Sequence, residues 1–206
     1  MLKVLSDIIL GIDAGDLSAL VLLDLSAAFD TVDHHILLQR LKRSYGITRL
    51  IRQWFQSYLV GRRKFVRTGS STSSLALILC GILQGSVLGL ILFLYTADLL
   101  LLIEGHGGLC LHLYADDTQV YGLCRPSATL ELQNSISTCI DDVARWMRSN
   151  WLQLNTAKTE VLWSTSSRRL RLLPVSPIRV GTDQVVLVSV VRHFGIYIST
   201  WTLMCQ

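Results

Sequence analysis

Residues 109–123 read LCLHLYADDTQVYGL: two apolar runs, Leu109–Tyr114 and Thr118–Leu123, separated only by Ala115, Asp116 and Asp117. Short apolar runs rich in aromatic and β-branched residues around so brief a polar interruption predict a β-hairpin with acids at its tip. Upstream, Leu20–Leu25 is a second short apolar run, and it carries Asp24 near its end. It reads as a buried strand delivering a carboxylate at its tip, where the hairpin acids can lie beside it. Two like charges about 4 Å apart repel by roughly 4 kcal/mol at an effective dielectric near 20, so a proton or a cation must compensate them. Oxygen-only ligands with no His or Cys favour Mg2+ or Mn2+ over zinc. Two such ions about 3.5–4 Å apart can clamp an in-line phosphoryl displacement. Asp-Asp pairs more often cap turns or helices, and Asp141-Asp142, in a stretch with helical spacing, is an example of that ordinary use.

Around these acids the pattern is α+β. The N-terminal stretch reads as an amphipathic helix, with acids where a signal peptide would carry its apolar core. Two helices are expected after Asp24. One starts near Asp33 and stops at Gly46; the other is capped by Thr48, buries Leu50, Ile51, Trp54, Phe55, Tyr58 and Leu59, and stops at Gly61. Arg62–Arg67 and Leu75–Cys80 read as strands around a Gly/Ser turn. Val87–Ile103 is almost wholly apolar and close to the length that spans a bilayer, but Asp98 lies inside it, which favours one helix buried in a core. A helix from about Ser127 to Arg148, burying Leu130, Ile136, Ile140, Val143 and Met147, and short strands near Glu160–Trp163, Val185–Val190 and Phe194–Ile198 follow. No linker or repeat divides the chain, so it reads as one folded unit.

With 206 residues, half of them hydrophobic, the chain can bury a sizeable core. Its net charge of +4 is unevenly placed. From Arg40 to Arg67 there are nine Lys or Arg and no Asp or Glu, with Arg62, Arg63, Lys64 and Arg67 close together. Such a run is either a solvated surface or a face for a polyanion. The five cysteines show no metal-site or disulfide spacing, which fits a reducing, intracellular compartment, cytoplasm or nucleus, rather than secretion.

Four runs, SALVLLDLSAAFDTVDHHILLQRL, QGSVLGLILFLYTADL, HLYADDTQVY and LQLNTAKTEVL, together resemble reverse transcriptases of LINE-type (non-LTR) retrotransposons. The likeness implies a polymerase palm, a small antiparallel sheet packed on helices, with partial fingers and thumb. Residues 1–198 form the reverse transcriptase domain in this reading, and 199–206 a tail. It implies RNA-directed DNA polymerase chemistry on an RNA template, a DNA primer and deoxynucleoside triphosphates. By the same resemblance Asp24, Asp116 and Asp117 bind two Mg2+ ions, or Mn2+, and Phe29 matches the aromatic gate that excludes a ribose 2′-hydroxyl. Gln84 and Gly85 match a pair that packs on the incoming nucleotide and template. Lys158 matches a lysine that protonates the leaving pyrophosphate, and Gly195 matches a short primer-gripping motif.

The family usually has proline where this chain has Leu83 and Leu90. Losing a proline at a compatible site costs about 0.4–1 kcal/mol and loosens a turn. Only one helix is expected between Met1 and the Leu20–Leu25 strand, so the resemblance also implies that the upstream fingers, most of the thumb and any endonuclease lie outside these residues. Two other readings remain open on sequence: a catalytically inactive nucleic-acid-binding remnant of such an element, and a small membrane protein built on Val87–Ile103.

Overall fold

A computed structural model describes residues 2–83, 91–114, 117–180, 183–193 and 196–200. In chain order they form helix α1 (Leu2–Asp13), strand β1 (Leu17–Leu23), and helices α2 (Ala28–Thr31), α3 (His34–Arg43) and α4 (Arg49–Leu59). Four two-residue strands follow: β2 (Arg63–Lys64), β3 (Arg67–Thr68), β4 (Ser71–Thr72) and β5 (Ala76–Leu77). Next come α5 (Ile91–Thr96), α6 (Asp98–Glu104), β6 (Leu109–Tyr114), β7 (Asp117–Cys124) and α7 (Thr129–Ser149). The last strands are β8 (Glu160–Ser164), β9 (Ile178–Val180), β10 (Asp183–Val185), β11 (Leu187–Val188), β12 (Val190–His193) and β13 (Ile196–Ser199).

The chain falls into two compact units, 1–25 with 98–146 and 154–206, and 26–97 with 147–153. Sequence alone suggested one undivided unit. No linker marks the division because each unit is assembled from segments far apart in the chain.

The first unit is built on a five-stranded sheet in the order β11-β8-β1-β7-β6. It is antiparallel except at one edge, where β11 runs parallel to β8. All seven residues of β1 are buried, which explains why LSALVLL shows no alternation: a central strand covered on both faces has no solvent side. On one face Val4 and Ile8 of α1 pack with Leu20, Leu22, Tyr121 and Leu162. A Cβ on Gly11 would meet the Leu123 side chain at 2.6 Å, so α1 sits close on β7. On the other face the opposed pair Ala19 and Gly122 leaves room for α7, where a Cβ on Gly122 would meet Leu132 at 2.7 Å.

Helix α7 buries Leu132, Ile136, Cys139, Ile140 and Val143, whereas Leu130, expected in the core, is 70% exposed. Two residues of helix turn Leu130 about 200° away from Leu132, onto the solvent face. Burial pushes the Cys139 thiol up to about 12, so it stays protonated and acts as a small apolar residue. Asp141 accepts from Arg179 at 3.1 Å and Asp142 pairs with Arg145 and His106, so this acid pair makes side-chain ion pairs from within α7 instead of the cap expected of it.

In the second unit Asp33 caps α3, its carboxylate accepting from the Ile36 N–H at 2.8 Å, and Leu37 and Leu41 are fully buried. Tyr95 donates to the Asn150 carbonyl at 2.6 Å, and Arg40 donates to the Asn150 side chain at 2.8 Å while lying 5.0 Å over the Tyr95 ring. Burial pushes the Tyr95 phenol up to about 12. Arg40, counted in the basic run, is therefore a packing residue.

The expected helix across 87–103 needs correction. Residues 87–90 lie outside the described ones, α5 ends at Thr96, and α6 begins at Asp98, where the two units divide. The Thr96 hydroxyl donates back to the Leu92 carbonyl at 3.1 Å, a contact that competes with helix continuation. Asp98 then occupies the first turn of α6, where free N–H groups favour a carboxylate. Among the described residues no helix is long and apolar enough to cross a membrane.

Helix α4 also departs from expectation. Of the apolar residues assigned to its core face only Leu59 is fully buried; Leu50 is 78%, Ile51 60% and Trp54 53% exposed. Beyond it β2 pairs with β5 and β3 with β4, one nested hairpin in place of two longer strands.

Candidate active site

The register of the central sheet brings the acids together. Leu23 of β1 pairs with Thr118 of β7, so Asp24 and Asp117, one step further along each strand, stand at adjoining strand ends. Tyr114 and Asp117 close the β6–β7 hairpin as its last paired residues. Asp116, which precedes Asp117 in the sequence, lies outside the described residues, as do Gln84, Gly85 and Gly195.

The segment after α7 docks on Asp24. Leu154 bridges Leu25, and the Asn155 N–H donates to the Asp24 carbonyl at 2.9 Å. The Asn155 side-chain amide donates to Asp24 Oδ2 at 3.3 Å. A short helical turn, Thr156–Lys158, then carries Lys158 Nζ to 3.6 Å from Asp24 Oδ2, and Thr159 closes the turn by donating to the Asn155 carbonyl at 3.0 Å. The Lys158 and Asp24 side chains are 69% and 30% exposed, and such a pair contributes only about 0–1 kcal/mol to stability. Folding energy is thus a weak reason for holding an ammonium beside this carboxylate.

A cleft of about 420 Å³ opens here, lined by Leu22, Leu23, Asp24, Asp117, Thr118, Ala157, Lys158, Glu160 and Arg192. Three of the lining side chains are carboxylates and two are cations. Asn155, Glu160 and Arg192 were missed in the sequence. Asn155 and Glu160 flank Lys158 in LQLNTAKTEVL, so their place in a family motif was the available signal. Arg192 had none, because β12 reaches the cleft only through the fold. Its guanidinium lies 5.7 Å over the ring of Tyr197, its partner across the β12–β13 hairpin.

Asp24 and Asp117 offer oxygen only, which suits Mg2+ or Mn2+ in kind. Among the described residues, which exclude Asp116, no three His, Cys, Asp or Glu lie close enough together to hold an ion.

The remaining sequence candidates belong to the other unit. Phe29 lies on α2, partly buried, and its carbonyl accepts from the Ile82 N–H at 2.7 Å. Ala27, which precedes α2, has φ 48°, a left-handed conformation that costs a non-glycine residue about 1–2 kcal/mol. Arg63, Lys64 and Arg67 are exposed on the hairpin, whereas Arg62 is partly buried and lies 5.2 Å over the Tyr58 ring.

Residues 12–176 match the family described as reverse transcriptase (RNA-dependent DNA polymerase). A probable RNA-directed DNA polymerase from transposon BS of Drosophila melanogaster is 32% identical in an alignment of 151 residues that covers 68% of this chain and 16% of that protein. Apo telomerase from Candida tropicalis, truncated from its C-terminal domain, superposes with a TM-score of 0.63 at 12% identity, covering 98% of this chain and 39% of the telomerase chain. Telomerase from Candida albicans, solved in complex with a fragment of telomeric RNA, gives 0.63 at 12% identity over 96% of this chain and 33% of its own. At that identity the telomerases attest the α+β palm-like fold alone, and this chain spans well under half of each relative. Sequence motifs, family match and fold agree: the chain belongs to the reverse transcriptase family.

Proposed function

We propose that Asp24, Asp116 and Asp117 run nucleotidyl transfer in this domain, extending a DNA primer with deoxynucleoside triphosphates on an RNA template. One observation carries the reading: Asp24 and Asp117 end neighbouring strands of one sheet and line a single cleft with Lys158. Asp24, Asp116 and Asp117 would hold Mg2+, which when bound activates the 3′-hydroxyl and neutralises charge on the phosphates. Lys158, held by the Asn155 turn, donates a proton to the departing pyrophosphate. Arg192 adds a second cation for phosphate oxygens at the same cleft. Phe29 excludes the ribose 2′-hydroxyl, Gln84 and Gly85 position the nucleotide, and Arg62, Arg63, Lys64 and Arg67 meet nucleic-acid phosphates. Residues 1–198 are the domain and 199–206 a tail, working inside the cell where template and primer are found.

The test is primer extension on an RNA template with Mg2+ or Mn2+. It uses the 206-residue chain and the same chain joined to the flanking segments of the Drosophila relative. Metal-dependent incorporation of deoxynucleotides in either supports the proposal. Salt-sensitive RNA binding without extension in both would establish the inactive nucleic-acid-binding reading instead. In the active form, Phe29→Val is expected to raise ribonucleotide incorporation relative to deoxyribonucleotide by about tenfold or more, measured in paired single-nucleotide assays. Unchanged discrimination would return Phe29 to a packing role.

A further inference from the structure

We propose that the outer face of α4 and the hairpin after it form a stacking platform for single-stranded nucleic acid, with Trp54 taking an unpaired base on a ring that Tyr58 backs. It rests on the reading that the cations at 62–67 meet phosphates, and it adds which strand they meet and how.

The apolar face of α4 is left uncovered, and its rings are already ordered as a stack. Trp54 and Tyr58, one helical turn apart, lie 5.8 Å between centroids at 16°, and Phe55 meets Trp54 edge-on at 5.1 Å. The Arg62 guanidinium continues the series over Tyr58, and its Nη1 is buried without a hydrogen-bond partner among the described residues. The series runs Arg62, Tyr58, Trp54 and ends on an indole that is 53% exposed. Phe65, on the hairpin, is 56% exposed.

Charge selects the occupant. From His34 to Ala97 there is no Asp or Glu, so the exposed Arg49, Arg63, Lys64 and Arg67 have no acid in this stretch to pair with. A protein-facing apolar patch is ordinarily depleted of charge at its centre, whereas here cations are interleaved with the rings. The opposite arm of the hairpin is Ser70-Ser71-Thr72-Ser73-Ser74, all exposed, a row of hydroxyls of the kind that contacts phosphate oxygens. Aromatic faces with flanking cations bind single strands without sequence preference, because every unpaired base has a face to stack and every residue of the strand a phosphate. A duplex offers this surface only its phosphates.

The experiment measures fluorescence anisotropy of the full 206-residue chain with an RNA of about 12 nucleotides, in the range of single-strand sites. The same RNA is presented as a single strand, as a duplex and with abasic positions. Trp54→Ala with Tyr58→Ala is expected to weaken single-strand binding about ten- to hundredfold, leaving duplex binding and the salt dependence unchanged. Trp54→Phe with Tyr58→Phe should retain most of it. Arg63→Ala, Lys64→Ala and Arg67→Ala together should weaken both forms and flatten the salt dependence. Unchanged single-strand affinity in the alanine pair, or an equal loss on duplex and abasic RNA, would overturn the stacking platform. So would self-association of the wild type that the alanine pair abolishes, since the face would then be a protein interface. Full binding by the triple cation variant would overturn the underlying phosphate reading, a failure distinct from that of the rings.

Discussion

Asp24→Asn is expected to lower nucleotide incorporation by about a thousandfold, equivalent to about 4 kcal/mol of transition-state stabilisation. Folding should be almost untouched. The side chain is 30% exposed, its contacts are the Asn155 amide at 3.3 Å and the largely exposed Lys158 at 3.6 Å, and such surface partners contribute within about 1 kcal/mol. Asp117→Asn should behave alike, because its strand end adjoins that of Asp24 and lines the same cleft. A second readout separates a ligand from a bystander: Mg2+ should raise the melting temperature of the wild type by binding the folded state alone, and the double variant should lose that gain. An equal Mg2+ shift in the Asp24→Asn, Asp117→Asn protein, together with retained synthesis, would remove both residues from the site.

The second large effect is expected at Gly81, which opens the Gly-Ile-Leu-Gln-Gly run leading to Gln84. Its φ is +90°, and a Cβ there would stand 2.9 Å from the Asp30 carbonyl oxygen and 3.1 Å from the Asp30 Cα, backbone atoms that cannot swing away. The surrounding bonds leave no slack. The Gly81 N–H donates to the Val32 carbonyl at 2.8 Å, the Ile82 N–H to the Phe29 carbonyl at 2.7 Å, and the His34 ring nitrogen Nε2 to the Gly81 carbonyl at 2.8 Å. Gly81→Ala should therefore destabilise by about 3 kcal/mol, combining left-handed strain with the clash, and lower the melting temperature by about 6–12 °C. Gly69→Ala is the control. Gly69 has φ +59° and nothing within 4 Å of its would-be Cβ, so only the conformational cost of about 1 kcal/mol should appear. Equal melting shifts in the two variants would mean that the close approach at Gly81 carries no energy.

The hairpin and the strand that carry the acids were legible because each is local. Two apolar runs around Ala115-Asp116-Asp117 are too close in the chain to do other than fold back on each other, and a short apolar run ending in Asp24 has few ways to be buried except as a central strand. Helix α3 was legible for the same reason, through Asp33 as its cap and Leu37 and Leu41 one turn apart. The long apolar run was misread because apolarity on every face erases the periodicity that would reveal a break; what ends α5 is a hydroxyl back-bond at Thr96 and a favourable start at Asp98.

By itself the sequence determined the hairpin that carries the acids, the Leu20–Leu25 run as a strand, helix α3, the family, and Lys158 just before a strand, all of which are read from residues near one another in the chain. Tertiary structure alone decided the rest. It brings Arg192 and Glu160 to the cleft walls and turns Arg40 inward to Asn150 and Tyr95. It also leaves Leu50, Ile51 and Trp54 of α4 uncovered. An amphipathic helix announces that it has an apolar face, but whether that face meets a core or solvent depends on which distant segments arrive to cover it, and no local pattern records that.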